Sequence, residues 1–160
     1  MRQLLLDLTQ APAPSFENFV HGGNSELFHA LRAAAEGRLA ERVLYMWGES
    51  GAGKTHLARA FAQAVAARPR YRVIDGVERL DDAAQVMLFD EFNERAFDLL
   101  LVTAGAAPRD VALRRDLATR LATGLTYRVL PLTDDEKRAA LAAHARTRGF
   151  QLSEEVSAYL

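Results

Sequence analysis

The chain contains no cysteine, which excludes disulfides and thiolate metal sites and is compatible with a reducing compartment. Its four histidines (His21, His29, His56 and His144) are scattered without metal-ligand spacing. Long apolar runs are missing too. The start, Met1 to Leu8, has only a short apolar stretch interrupted by Asp7, too brief for a signal peptide or a membrane span. Neither sign of charge dominates: the net value is −1, so nothing global argues for nucleic acid as a direct partner. No internal repeat is visible. These absences lead us to expect a soluble, cytoplasmic protein with no membrane contact and no direct sequence-specific DNA binding. With 160 residues, of which 49% are apolar, the chain is long enough for one domain with a sizeable core and too short for two full ones.

The stretch Gly48-Glu49-Ser50-Gly51-Ala52-Gly53-Lys54-Thr55 carries the chemistry. It follows an apolar run, Val43–Trp47, and opens a helical pattern, His56–Val65. Strand, G-x-x-x-x-G-K-[ST], then helix is the order of a P-loop. Glycines let successive backbone N–H groups turn inward around a phosphate, and the helix N-terminus adds partial positive charge. Lys54 then reaches the β- and γ-phosphates and the Thr55 hydroxyl ligates Mg²⁺. The alternative is a Gly-rich strand-to-helix turn without a ligand; the flanking strand and helix favour a nucleotide, ADP or ATP.

Around this loop the pattern is that of an α/β domain. Gln3–Leu8 is an apolar peptide set off by the linker Ala11-Pro12-Ala13-Pro14. It reads equally as a docking segment or as a stretch that returns as an edge strand or is simply frayed. Ser15–Val20 is an aromatic anchor with Phe16 and Phe19 as core residues. A helix follows, capped by Asn24 or Ser25, buried along Leu27, Phe28, Leu31 and Ala35, and ended by Gly37. Trp47 is expected to pack beside the P-loop. Tyr71–Asp75 is a second strand whose terminal Asp75 has the Walker B role of holding the Mg²⁺ shell, or else merely ends the strand in a turn. Gly76 stands where many hydrolysing enzymes carry a second acidic residue. Arg68, Arg70 and Arg72 read as a solvated rim.

Further along, Asp81 to Phe97 fits a helix capped by Asp81 or Asp82, with Val86, Phe89, Phe92 and Phe97 toward the core. Leu99–Thr103 is a buried strand ending with Thr103 beside the phosphates. Val111–Leu121 is a short helix and Tyr127–Leu130 the last strand. Thr133-Asp134-Asp135-Glu136 is a capping box opening a helix to Arg148, closed by Gly149, with another helix starting near Ser153.

Taken together, the Gln3–Leu8 peptide, Phe16–Val20, the P-loop, Asp75, Asp116–Leu121, Pro131–Asp134 and Arg148-Gly149-Phe150 resemble the Hda family. These are DnaA-related AAA+ regulators that inactivate the bacterial replication initiator. The likeness spans nearly the whole chain, and the N-terminal peptide separates it from DnaA. The resemblance implies three parts: residues 1–14 as a peptide and linker docking on the DNA polymerase III sliding clamp (β subunit), 15–132 as the AAA+ nucleotide-binding domain, and 133–160 as the start of a helical lid. Gln3, Leu4, Leu6 and Leu8 match the clamp-binding pattern. By the same resemblance Phe19 and Val20 are expected to border the base, and the P-loop residues Gly48 to Thr55 with His56, and Asp75 and Thr103, to surround the phosphates, with Thr55 and Asp75 serving the metal.

Arg120 matches the arginine that reaches a nucleotide held by a neighbouring DnaA, its plain alternative being a salt bridge to Asp116. The implied activity is stimulation of ATP hydrolysis by DnaA, with weak or no intrinsic turnover. Self-association stays open. The other readings are an autonomous AAA+ ATPase of helicase-loader type and a nucleotide-stabilised binding module without catalysis.

The departures from the family lie in three places. Only Ala66 to Arg70 separate the P-loop helix from the next strand, where the family carries an extra strand and helix. The expectation is therefore a parallel sheet of four strands without the usual outer one. Thr103-Ala104-Gly105-Ala106 lacks the common sensor-one Asp, and the lid breaks off before its sensor-two arginine.

Overall fold

The computed structural model describes residues 12–147. Gln3, Leu4, Leu6 and Leu8, expected above to dock on the clamp, and the expected helix end at Arg148-Gly149 and helix start near Ser153 lie outside the described residues.

The chain alternates helix and strand. It runs α1 (Ser25–Ala35), β1 (Val43–Trp47), α2 (Lys54–Ala64), β2 (Tyr71–Ile74), a 3₁₀ turn (Val77–Arg79), α3 (Asp82–Asn93), β3 (Leu99–Ala104), α4 (Arg115–Leu121), β4 (Leu125–Arg128) and α5 (Asp134–Thr147). The four strands form one parallel sheet in the order β2-β3-β1-β4, as expected for an AAA+ domain without its outer strand. Because both faces of a parallel sheet are covered by its crossover helices, the central strands are apolar on both sides. All six residues of β3 are buried. On one face Leu44, Met46, Leu99 and Leu101 pack with Phe28, Leu31, Leu57 and Phe61 from α1 and α2. On the other, Val43, Tyr45, Leu100 and Val102 pack with Leu88, Phe97, Leu117 and Leu121.

Several local expectations need correction. The third helix stops at Asn93 rather than Phe97, because Arg95 takes a left-handed conformation (φ 55°). The Ala96 N–H then bonds back to the Glu91 carbonyl at 2.9 Å, a Schellman closure made without glycine. Its inward stripe is the buried Gln85 and Leu88 with the partly buried Phe89 and Phe92, at helical spacing, so Val86 falls outside it and is exposed. The fourth helix begins at Arg115, not Val111: Arg114 is extended (φ −55°, ψ 137°) and its N–H donates to the buried Gln85 Oε1 at 2.9 Å. The last strand lies two residues earlier than expected. Gly124 permits this, since a Cβ there would lie 2.2 Å from the Val43 carbonyl oxygen.

The caps show the same mixture. Asp81 caps α3 through the Ala84 N–H at 2.8 Å, and Thr133 and Glu136 exchange the reciprocal bonds of the capping box at 2.8 and 3.2 Å. Asn24, by contrast, makes no side-chain cap. Its buried amide instead accepts from the Leu130 N–H at 2.7 Å and donates to the Leu130 carbonyl at 2.8 Å, tying the first helix to the segment after β4.

Candidate functional site

The loop between β1 and α2 sits at the C-terminal edge of the sheet, where ligands of open α/β folds bind. Three glycines shape it with positive φ: Gly48 at 156°, Gly51 at 81° and Gly53 at 99°. Two of these positions are crowded. A Cβ on Gly48 would lie 2.6 Å from the Val129 carbonyl oxygen, and one on Gly53 would lie 3.1 Å from the Phe19 ring. Helix α2 opens directly at Lys54, so its free N–H groups face the loop's concavity. Lys54 Nζ donates to the carbonyls of Gly48 and Glu49, both at 2.7 Å.

Across from the loop, strand register delivers two polar side chains. Ile74 pairs with Val102, so Asp75 and Thr103 follow side by side. Thr103 Oγ1 donates to Asp75 Oδ1 at 2.6 Å and accepts the Gly76 N–H at 2.7 Å. Thr55 Oγ1 donates to Asp75 Oδ2 at 3.0 Å. A hydroxyl at a helix start and a carboxylate at a strand end thus converge. That donor set suits a hard divalent cation that keeps most of its waters. Among the described residues no cluster of three or more His, Asp or Glu could hold a metal by protein groups alone.

Beside the loop lies a cavity of about 510 Å³ lined by Phe19, Val20, Ser50, Gly51, Gly53, His56, Leu130, Pro131 and Lys137, among others. A smaller one of about 250 Å³ lies over Ser50, Gly51, Gly53, Lys54, Thr55 and His56. His56 lies within hydrogen-bonding distance of the Ser15 carbonyl (Nε2 to O 3.1 Å), and its ring stands 5.5 Å from that of Phe19. It thereby fixes the N-terminal segment over α2. Phe16 is buried in the core, whereas Phe19 is only partly covered. The sequence does not assign Leu130, Pro131 and Lys137 to the site, because only the tertiary fold brings them to the loop.

Trp47, the residue before the P-loop, packs its ring with the α3–α4 face and lies under Arg128, 5.4 Å from guanidinium to ring centroid, and Arg128 in turn pairs with Glu49 of the loop at 3.4 Å. Arg68, Arg70 and Arg72 form a rim: Arg70 pairs with Asp98 and Arg72 with Glu91, both at 2.9 Å, while Arg68 covers the Tyr71 ring.

Arg120 lies in a different cleft, lined by Phe89, Arg114, Arg115, Asp116, Thr119 and Arg120 itself. Asp116 is not its partner. That carboxylate binds Arg114 at 2.8 Å, and the Arg114 hydrogen bond, aided by the Leu117 N–H, holds it below the usual carboxylate range. Arg120 instead spreads over the Phe89 and Phe92 rings at 6.0 and 5.8 Å, with no carboxylate partner among the described residues. None of the residues lining this cleft lines either cavity at the P-loop.

A parallel sheet, a Gly-rich loop running into a helix, and a strand-end carboxylate on the loop's threonine define a P-loop NTPase domain. The chain belongs to the bacterial DnaA ATPase-domain family, whose model matches residues 11–102. That match includes the P-loop and Asp75 and stops before Thr103 and Arg120. An uncharacterized protein of Haemophilus influenzae is 32% identical over 190 residues, covering 99% of this chain and 82% of that one. Among solved structures, domain III of Thermotoga maritima DnaA has a TM-score of 0.78 at 22% identity, over 92% of this chain and 80% of that one. DnaA of Aquifex aeolicus, solved with AMPPCP bound, has a TM-score of 0.77 at 19% identity, over 93% of this chain and 60% of that one. At these identities the two structures establish a shared fold.

Among the described residues no helix is long and apolar enough to cross a membrane.

Proposed function

We propose that this chain is a regulatory inactivator of the Hda type. It binds an adenine nucleotide in its own P-loop, docks on the sliding clamp through Gln3, Leu4, Leu6 and Leu8, and stimulates ATP hydrolysis by DnaA through Arg120. In this reading residues 15–132 are the nucleotide-binding unit, with 1–14 the tether and 133–160 the start of the lid. The observation that carries it is the placement of Arg120. It is exposed on α4, held over aromatic rings rather than in an ion pair, and shares no lining residue with its own nucleotide cavities. A guanidinium so placed serves a phosphate in a neighbouring molecule. There it stabilises charge on the transferring phosphoryl group, an effect worth about 10³–10⁵ in rate in GTPases.

At the chain's own site, the loop N–H groups and Lys54 hold the phosphates, and Phe19 and Val20 border the adenine. Thr55 and Asp75 orient the shell of a Mg²⁺ ion, whose contribution when bound is to neutralise phosphate charge. AMPPCP in the Aquifex aeolicus relative supports the choice of an adenine nucleotide. Own turnover, the helicase-loader alternative, finds support in the intact Thr55–Asp75 pair, but Gly76 offers no carboxylate to orient water.

The test is ATP hydrolysis by DnaA with DNA-loaded clamp, with and without this chain. Stimulation that disappears in Arg120→Ala, with little turnover by this chain alone, is the expected result. No stimulation by the folded wild-type chain refutes the trans mechanism. Undiminished stimulation by Arg120→Ala assigns the effect to another residue.

A further inference from the structure

The Asp75 carboxylate is approached from three sides. Thr55 and Thr103 donate hydroxyl bonds to its two oxygens. On the third side stands Arg79, whose Nη2 lies 3.9 Å from Asp75 Oδ2 and also donates to the Asp75 main-chain carbonyl. Sequence reading assigned Arg79 no role, and the signal lay in the glycine before it. Gly76 is left-handed (φ 76°, ψ 68°), and the 3₁₀ turn Val77–Arg79 then carries the chain back over Asp75. A Cβ on Gly76 would fall 2.5 Å from both Nε and Nη2 of Arg79. The guanidinium therefore lies beside the bare position 76, where many hydrolysing enzymes of this type carry a second carboxylate. The acid within the turn, Glu78, is engaged elsewhere: its Oε1 accepts the Gly105 N–H at 3.1 Å.

We propose that Arg79 is a resident cation of the nucleotide site. It competes with the divalent metal for Asp75 and supplies its own positive charge to the terminal phosphate, so that a nucleoside diphosphate binds with little dependence on Mg²⁺. The proposal rests on the reading of the P-loop as an adenine-nucleotide site. Two cations beside one carboxylate repel each other, so a guanidinium already there weakens the gain from adding a metal. Because the Arg79 side chain is 71% exposed, water and salt screen the effect. A single charge a few ångströms from a phosphate, at a dielectric between those of a protein surface and of water, would correspond to roughly a tenfold change in affinity.

The experiment titrates the full chain with a fluorescent ADP analogue, in millimolar MgCl₂ and in EDTA, for the wild type, Arg79→Ala and Arg79→Lys. The wild type is expected to bind within about threefold in the two buffers. Arg79→Ala loses about tenfold in EDTA and regains it with Mg²⁺, whereas Arg79→Lys, which keeps the charge, behaves as the wild type. A wild type that itself depends about tenfold on Mg²⁺, or an Arg79→Ala variant indistinguishable from it in both buffers, overturns the role of Arg79 and leaves nucleotide binding standing. Failure of all three proteins to bind in either buffer overturns the nucleotide reading and this inference together. Melting curves without nucleotide establish that each variant is folded.

Discussion

Thr103 offers a direct test of the network at the end of the sheet. The side chain is 1% exposed and its hydroxyl works twice, donating to Asp75 at 2.6 Å and accepting from the Gly76 N–H at 2.7 Å. Thr103→Val keeps the shape and removes both bonds. The bond to a partly solvated carboxylate is worth about 1.5 kcal/mol, at the low end for a charged partner, and leaving the Gly76 N–H without an acceptor costs a further 1–2 kcal/mol or so. The two share one oxygen and are not independent; against them stands a small gain from the added methyl. The expected loss is about 2–4 kcal/mol, a large share of a typical domain's stability. Thr103→Ser keeps the hydroxyl and deletes one buried methyl, at about 1 kcal/mol. Urea denaturation followed by far-UV circular dichroism, without nucleotide, measures both. A Thr103→Val protein within about 0.5 kcal/mol of the wild type refutes the reasoning. So does a serine variant as damaged as the valine one, because the hydroxyl would then not carry the energy.

The Asn24 amide closes a bridge across 106 residues. Asn24→Ala should cost about 1–2 kcal/mol in the same assay, since two partly buried main-chain groups of Leu130 lose their protein partners; a loss below about 0.5 kcal/mol refutes the bridge. Leu101, fully buried in central β3, should lose about 3–5 kcal/mol as alanine, and a well-folded variant with an unchanged midpoint refutes its place in the core. Tyr45 gives a pH dependence. Burial, with Glu78 as a lesser cause, raises its phenol well above the ordinary 10.0, so the folded state disfavours ionisation. Stability is then complete below pH 10.0 and falls as pH rises beyond it, because the unfolded chain releases the proton first. Stability measured against pH should lose part of this alkaline slope in Tyr45→Phe, and an identical slope refutes the assignment.

How much of this could be read from the chain depends on whether the cause was local. Two helix ends make the contrast. After α1, Gly37 takes φ 77° and the Arg38 N–H closes on the Ala33 carbonyl at 2.8 Å; glycine announces such a closure, and the helix end was legible. After α3 the same closure is made by Arg95, a residue that pays a steric cost for the left-handed region. Nothing in Glu94-Arg95-Ala96 marks it, so the pattern ran on to Phe97. Tertiary packing selects the turn: Phe97 is buried in the core, its ring meeting that of Phe92 at 5.9 Å. The late start of α4 has the same origin, since the Gln85 amide that holds Arg114 extended comes from another helix. Asn24 looked like a cap because capping is the local use of asparagine, but the acceptor and donor it meets lie across the domain.

The site divides along the same line, with one informative exception. The P-loop is contiguous, so its glycines, Lys54 and Thr55 announce themselves. Asp75 and Thr103 lie 28 residues apart, yet both could be picked out because each is the polar residue reached as a parallel strand runs out, the half-buried β2 in one case and the fully buried β3 in the other. In a parallel sheet such ends share an edge, and the pairing of Ile74 with Val102 then makes the contact between the next residues unavoidable. A one-residue slip of β2 against β3 would turn Asp75 or Thr103 to the opposite face, separating the carboxylate from the hydroxyl that holds it. Arg79 escaped notice because its position depends on a turn, not on a strand end. Its presence over Asp75 follows only once Gly76 is known to be left-handed, and then the missing side chain at 76 and the guanidinium at 79 become one feature.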